Sequence, residues 1–256
     1  MKETAKNYKD RIKNGDFKKY LHGYGIDIGG GDDCLKLPPD VKGNVYLWDF
    51  ADGDAQYLHK FKGGGTFDFV YSSHCLEHMR NITTALANWI RVCKVGGILY
   101  ICVPHETYYE KDTWPSMYNM DHKHSFTLDQ KSSLPKNVVI TKFLKRFRSY
   151  IEILEIRENL KNYDNCCDRF IDQTADEQKM VCAQFEIILR KKKDILTSKK
   201  AQRKNNFNCI KDYFLYFLPM RIFLRLPEKL QQNVKNLVKR VRSIYVDKSK
   251  DAGKIP

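Results

Sequence analysis

No run in this 256-residue sequence reaches the roughly 18 consecutive apolar residues that a membrane-crossing helix needs. The first 20 residues, "MKETAKNYKDRIKNGDFKKY", lack the apolar segment of a secretory signal. Together these absences lead to a cytoplasmic expectation. No C-x-x-C pair occurs among the eight cysteines, at 34, 75, 93, 102, 166, 167, 182 and 209. A structural zinc site is therefore not expected, and buried free thiols are. No Gly-Lys-Ser/Thr follows a glycine turn, which excludes a P-loop. There is no internal repeat. Net charge is also scarce in most of the chain. The total is +14, but residues 191–256 hold 18 Lys+Arg against 5 Asp+Glu, which leaves only about +1 for residues 1–190. A basic nucleic-acid face is not indicated there, and no nucleic-acid partner is expected.

What is present reads as alternating strands and helices. "GYGIDI" leads into the turn "GGGDD", and residues 24–28 read as a first strand. "NVYLWDF" (44–50) and "FDFVYSS" (67–73) are two further buried strands. In "NITTALANWIRVCKVGG" the apolar residues Ile82, Ala85, Leu86, Trp89, Ile90 and Cys93 recur at helical spacing, with Gly96–Gly97 as the stop. "ILYICVP" (98–104) is a fourth strand, closed by proline. "YIEILEI" (150–156) and "CAQFEIILRK" (182–191) are two more, separated by a polar insertion read as helical. The pattern predicts an α/β fold: a Rossmann-like, doubly wound, mostly parallel sheet ending in an antiparallel hairpin.

The glycine turn poses the question of which nucleotide it holds. A dinucleotide fingerprint, G-x-G-x-x-G, needs a third glycine where Cys34 stands. A pyrophosphate there would also be repelled by Asp32 and Asp33. S-adenosylmethionine carries no phosphate and bears a positive sulfonium, so it tolerates these acids. Asp27 is then placed to receive its amino group. Asp49, 22 residues on at the end of the second strand, suits the ribose hydroxyls. Asp54 in "GDAQYL" suits the adenine amino group and is also a natural N-cap for a short helix.

In order, acid-x-G-x-G, Asp49, "GDAQYL", "FDFVYSSHCLEHM", "WIRVCKVGGILYICVP" and "DHKHSF" resemble the small class I methyltransferases with methyltransferase-11 or -23 domains. The resemblance covers about residues 24–130 and extends more loosely to 190. "WPSMYNMDHKHSF" is similar to members from bacterial capsule and surface-polysaccharide gene clusters. Val95 departs from the family's usual proline, which should alter only a turn. The resemblance implies S-adenosylmethionine as cofactor and S-adenosylhomocysteine as product. The expected cofactor set is Asp27, Gly29, Gly30, Gly31, Asp49, Phe50, Asp54, Ala55 and Ser73. It further implies O-methylation of a sugar or a small precursor of a surface polysaccharide. The rivals are methylation of a phosphate-type oxygen, a dehydrogenase, and a methyltransferase-like interaction protein.

A sugar hydroxyl is a poor nucleophile, and a base with a pKa near 7 assists it. The candidates are His124 and His122 of "DHKHSF", then His74. His78, Tyr118 and Asp121 are expected to face the acceptor, with Glu77–His78 shaping the site. His122 and His124 alternate with Lys123, so an extended segment would point both one way. Asp121 could complete a metal set, but nothing in the sequence fixes its geometry, and no metal is expected.

The domain is expected to span 1–190 and a basic, helical extension 191–256. In "PEKLQQNVKNLVKRVRSIYV" an apolar stripe runs through Leu230, Val234, Leu237, Val238, Val241 and Ile244. Such a helix packs at home, docks on a partner or lies on an anionic membrane surface. Peripheral attachment at the inner membrane face is the corresponding expectation.

Overall fold

Alternation along each strand decides what the two faces of the central sheet bury. The computed structural model describes residues 2–195, so the expectations for the basic extension lie outside the described residues. Three short helices come first: α1 (Glu3–Lys6), α2 (Tyr8–Lys13) and α3 (Asp16–Lys19). Then follow β1 (Gly23–Ile28), β2 (Gly43–Trp48), β3 (Phe67–Ser73), α4 (Ile82–Val92) and β4 (Cys93–Pro104). A small pair, β5 (Ser125–Thr127) and β6 (Asn137–Val139), precedes α5 (Ile140–Lys145). The last strands are β7 (Ile151–Asn159) and β8 (Gln184–Lys191). The sheet order is β2-β1-β3-β4-β8-β7. The first four strands are parallel, and β8 runs antiparallel to both its neighbours. This is the expected Rossmann-like, mostly parallel sheet with an antiparallel C-terminal pair.

On one face Val70, Leu99, Ile101 and Val103 pack with Ile82, Leu86, Trp89 and Ile90 of α4 and Phe143 of α5. Trp89 is fully buried, and its indole N–H donates to the Ala55 carbonyl at 3.0 Å. On the other face Phe69, Tyr71, Tyr100 and Cys102, the alternate residues of β3 and β4, pack with Phe17, Tyr20 and Leu21. The N-terminal segment is therefore the second layer of the fold. Arg11, buried, lies over the rings of Tyr71 and Tyr100 at 5.1 and 5.3 Å. Arg157 of β7 grips Asp16 with two bonds of 2.6 and 2.9 Å. Bidentate guanidinium–carboxylate pairs of this kind are the stronger ones.

Three local expectations are corrected. No α-helix follows the glycine turn: only a three-residue 3-10 turn forms at Gly31–Asp33, and the chain then runs extended towards Pro38–Pro39. α4 ends at Val92 rather than at the glycine pair, because Cys93 already pairs with Phe67. Ile98 pairs with Phe69, so residues 94–97 form an irregularity with Gly96 at φ +84°. The insertion between β7 and β8 is not helical beyond a 3-10 turn at Gln173–Ala175. Asp164, Asp168, Asp172 and Asp176 each accept from the backbone N–H two residues on, at 2.8–2.9 Å. Such Asx bonds compete with helical ones.

Candidate active site

The carboxyl ends of β1, β2 and β3 meet where an open parallel sheet offers its ligand crevice. Asp27, near the end of β1, is wholly buried. Its Oδ2 accepts from Leu35 N–H at 2.7 Å, while Oδ1 has no hydrogen-bond partner. A Cβ on Gly30 would lie 2.5 Å from that Oδ2, so only glycine lets the turn settle onto Asp27. Gly29 has φ +79°, and a Cβ there would meet Cys75 Sγ at 2.8 Å. Gly31 opposes Asp49, whose Oδ2 would stand 3.5 Å from a Cβ at that position. Ser73 ends β3 with its hydroxyl buried and unpartnered. Burial pushes Asp27 up to about 7, against the Leu35 and Cys34 hydrogen bonds that lower it.

Asp49 follows β2 directly and forms a capping box with Asp52. Its Oδ1 accepts from Phe50 N–H at 2.7 Å, and Asp52 Oδ2 accepts from Asp49 N–H at 2.9 Å. Asp54 caps the 3-10 segment Ala55–Lys60 by accepting from Gln56 N–H at 2.9 Å. The cap expected for Asp54 is thus present. Buried Gln56 ties this loop to α4, accepting from Asn81 N–H at 2.7 Å and from Asn88 at 2.6 Å. Phe50 is largely exposed.

The second acid of the turn has a partner that the sequence did not announce. Asp33 accepts from Thr4 N–H at 2.6 Å and from Ala5 N–H at 3.0 Å, the first-turn amides of α1. The N-terminal segment is thereby held against the glycine turn. Glu3 and Thr4 join Gly29, Gly30, Ser73, His74, His78, Tyr109, Asn119 and His122 in lining a cavity of about 180 Å³.

Histidines and acids dominate the cavity's other wall. Buried His122 bonds through Nδ1 to Glu110 Oε1 at 2.6 Å, and Glu110 is wholly buried. A carboxylate only accepts, so Nδ1 carries the proton of this bond and Nε2 is the ring nitrogen left to the cavity side. His78 bonds likewise through Nδ1 to Asp121 Oδ2 at 2.9 Å. The His78 and His122 rings meet edge-on, 4.8 Å between centroids, and Tyr109 stacks on His122. Glu77 sits among them with no exposure, and neither of its oxygens receives a hydrogen bond. Its nearest charged neighbours are His74 Nδ1 at 3.4 Å and His122 Nε2 at 3.9 Å. Burial alone would raise Glu77, but the surrounding histidines, His74 foremost, hold it below the usual carboxylate range.

His74 differs from the other two. Gln184 donates its amide N–H to Glu186 at 2.8 Å, which fixes its Oε1 towards His74 Nε2 at 2.9 Å. Both ring nitrogens of His74 therefore face acceptors, as in an imidazolium. Burial opposes that charge, yet the Glu77 carboxylate 3.4 Å away outweighs it and pushes His74 up to about 9. His74 has φ +53°, a conformation uncommon outside glycine.

Residues 18–101 match the methyltransferase-11 family, described as a methyltransferase domain. This part of the chain is similar to that family's domain. S-adenosylmethionine is the cofactor that the match implies, and the cradle fits it. Asp27 Oδ1 and Ser73 Oγ are buried polar atoms lacking partners, and Gly29 and Gly30 bring the turn's backbone close against Cys75 and Asp27 where a Cβ would clash. No curated protein matches the sequence. Among solved structures the chain is similar to an S-adenosylmethionine-dependent methyltransferase from Methanosarcina mazei, at 13% identity over 71% of this chain and 98% of that one, TM-score 0.45. It is similar to YcgJ from Bacillus subtilis at 13% identity, over 71% and 98%, TM-score 0.45. A methyltransferase from Archaeoglobus fulgidus shares 15% identity over 75% and 94%, TM-score 0.43.

The structure gathers the expected cofactor residues Asp27, Gly29, Gly30, Gly31, Asp49 and Ser73 at one sheet edge, with Asp54 and Ala55 in the loop pinned to α4. It separates the expected bases. His122 lines the cavity, but His124 does not: its Nε2 donates to the Met79 carbonyl at 3.0 Å. Burial lowers His124 below the usual histidine range, against the Met79 bond, which raises it. His74 lines the cavity but is held as a cation, and a cation is no base. Tyr118 lies behind the wall, its hydroxyl donating to the Arg169 carbonyl at 2.8 Å and its ring edge-on to Tyr109. Tyr109 takes the place expected for it. Asp121 orients His78 and also pairs with Lys123 at 3.0 Å. Glu110, Gln184 and the Glu3–Thr4 segment line or brace the cavity and were not anticipated from the sequence. Their partners lie 12, 110 and about 29 residues away, and no spacing rule links them.

Proposed function

We propose that this chain is an O-methyltransferase acting on a sugar, or on a small precursor, of a bacterial surface polysaccharide. One observation carries the reading: the glycine turn and the His122–Glu110 dyad line or support the same cavity. When bound, S-adenosylmethionine supplies an electrophilic sulfonium methyl. The chain's own residues supply the rest. Asp27 and Ser73 offer acceptors for the amino end, Asp49 for the ribose, and Asp54 for the adenine. Alignment of acceptor and methyl is the main contribution of such a site, worth up to about 7–11 kcal/mol in well-oriented systems. Glu110 fixes the His122 ring so that Nε2 takes the hydroxyl proton, a contribution of about 10²–10⁴ in rate. Tyr109 gives the cavity an aromatic wall suited to the apolar face of a sugar ring.

Cationic His74 in the same lining favours a second reading, a phosphate-type acceptor oxygen that needs no base. A screen with isotopically labelled methyl donor, on neutral sugars and sugar phosphates in parallel, separates the two. Calorimetry supplies the prior check. S-adenosylhomocysteine binds and NAD does not; the reverse result removes the proposal. Binding without turnover on any acceptor supports the interaction-protein alternative. Among the described residues no helix is long and apolar enough to cross a membrane. Attachment to anionic membranes through residues 191–256 is part of the proposal. It is tested by vesicle co-sedimentation of full-length and truncated chains at low and high salt.

A further inference from the structure

We propose that Glu77, His78 and His122 form a binding site for a divalent transition-metal ion of the zinc class. One ligand atom from each lies within 4.8 Å of the other two, and among the described residues no other such trio converges. The chemistry of the donor set points the same way. Two imidazoles and one carboxylate are a recurrent set for zinc and its first-row neighbours, and leave positions open for water or substrate. Magnesium and calcium prefer all-oxygen sets, which argues against them here.

Two observations independent of the clustering support a cation. The first is Glu77, a fully buried side chain with no hydrogen bond to either carboxylate oxygen. A buried carboxylate in that condition is costly unless something positive meets it. His74 at 3.4 Å meets it in part, from one side only. The second is the outer layer. Each of the two histidines gives its Nδ1–H to a carboxylate, His78 to Asp121 at 2.9 Å and His122 to Glu110 at 2.6 Å. Imidazoles that hold metals almost always carry such a carboxylate or carbonyl partner, which fixes the tautomer with the other nitrogen's lone pair available. Here that layer is already built for both. The donor atoms would close from 4.8 Å to roughly 3.4 Å around an ion with bonds of about 2.1 Å. His78, a quarter exposed, and the adjoining cavity provide the entry path.

This proposal replaces the expectation of no metal, and it uses a different set from the His122, His124 and Asp121 considered in the sequence. Asp121 supports a ligand instead of being one, and His124 serves the Met79 carbonyl. The inference does not rest on the methyl-transfer reading. It does bear on it: an ion here would stand on the acceptor side of the cavity and occupy the His122 lone pair. A bound hydroxyl would then lose its proton more readily through the ion's charge.

The test uses the full-length chain, free of affinity tags, stripped with a chelator and titrated with Co²⁺. The expected result is visible d–d absorption saturating at one Co²⁺ per chain, with micromolar or tighter affinity, and its loss on adding Zn²⁺. Glu77→Gln and His122→Ala should abolish the absorption. His78→Gln, at a partly exposed position that should leave the fold intact by circular dichroism, should abolish it as well. Glu110→Gln should weaken Co²⁺ binding about 10–100-fold. Absence of the absorption in the folded wild-type chain overturns the proposal, as does absorption unchanged in folded His78→Gln. S-adenosylhomocysteine calorimetry on the same stripped sample keeps the two readings apart. Metal binding without any methyl acceptor removes the function and keeps the site. Methyl transfer in stripped protein that binds no Co²⁺ does the opposite.

Discussion

The expected cofactor end and the proposed acceptor end of this cavity are built by different means. The cofactor end is backbone and short acids. Gly29 and Gly30 let the turn pack where a Cβ would clash with Cys75 and Asp27, and Asp27, Asp49 and Ser73 stand at the ends of three neighbouring parallel strands. Everything there lies within about 50 residues, and its geometry follows from strand order. The acceptor end is side chains borrowed from afar: His74 and Glu77 after β3, Glu110 and His122 from the long loop after β4, Gln184 from β8, Glu3 and Thr4 from α1.

Breaking the cofactor end should have the largest effect. Gly29→Ala forces an L-residue to φ +79° with its Cβ 2.8 Å from Cys75 Sγ. Strain of this kind costs on the order of 1–3 kcal/mol before the clash is added. S-adenosylhomocysteine binding should fall by at least about 100-fold, and thermal stability should drop with it. Affinity and melting temperature equal to wild type would show that the turn is not a cradle.

At the acceptor end, His122→Ala should lower turnover by about 10²–10⁴ while leaving cofactor affinity nearly unchanged. His124→Ala should change turnover by less than about threefold, losing only the bond to the Met79 carbonyl, worth about 1 kcal/mol of stability. Steady-state kinetics on one acceptor compares them, and the opposite ranking would reinstate His124.

A smaller effect sharpens the cofactor side. Asp49→Ala removes a charged acceptor for the ribose and should cost about 1.5–3 kcal/mol, or roughly 10–150-fold in S-adenosylhomocysteine affinity. The capping box with Asp52 is lost as well, so a melting curve should accompany the calorimetry.

The mildest prediction concerns pH. Asp27 ordinarily titrates at 3.8 and is pushed up to about 7 by burial. Its folded value lies above its unfolded one. Its stabilising contribution is therefore complete below about pH 4 and lost as pH rises through about 7. The ligand's ammonium group requires the ionised carboxylate. Affinity for S-adenosylhomocysteine should thus climb by up to about tenfold per unit as pH approaches 7, and level off above about 8. Asp27→Asn should flatten both curves and bind more weakly at pH 8. A wild-type affinity independent of pH between 6 and 8 would mean that Asp27 does not carry the linkage.

The long, periodic elements were legible in the sequence because their patterns are local. β3 runs over the predicted Phe67–Ser73, and α4 begins one residue after its capping Asn81. The placement of the expected cofactor acids at one sheet edge could be read for the same reason: a strand, a turn and the next strand's end are fixed by chain order. The helical reading of the insertion failed because its polarity hid four aspartates at four-residue spacing, each closing its own turn. The N-terminal layer went unread because three helices of four to six residues carry too few apolar positions for a periodic signal.

By itself, then, the sequence determined the parallel sheet, the glycine cradle and the choice of a ligand that tolerates acids beside it, since each depends on residues near one another in the chain. Only the tertiary structure decided which histidine can accept a proton. His74, His122 and His124 are the same residue type at similar loop positions. Gln184 and Glu77 face both nitrogens of the first, Glu110 holds Nδ1 of the second and leaves Nε2 on the cavity side, and the Met79 carbonyl engages the third. The physical reason is that an imidazole's charge and tautomer are set by what faces its two nitrogens. Those partners arrive only when distant segments pack together.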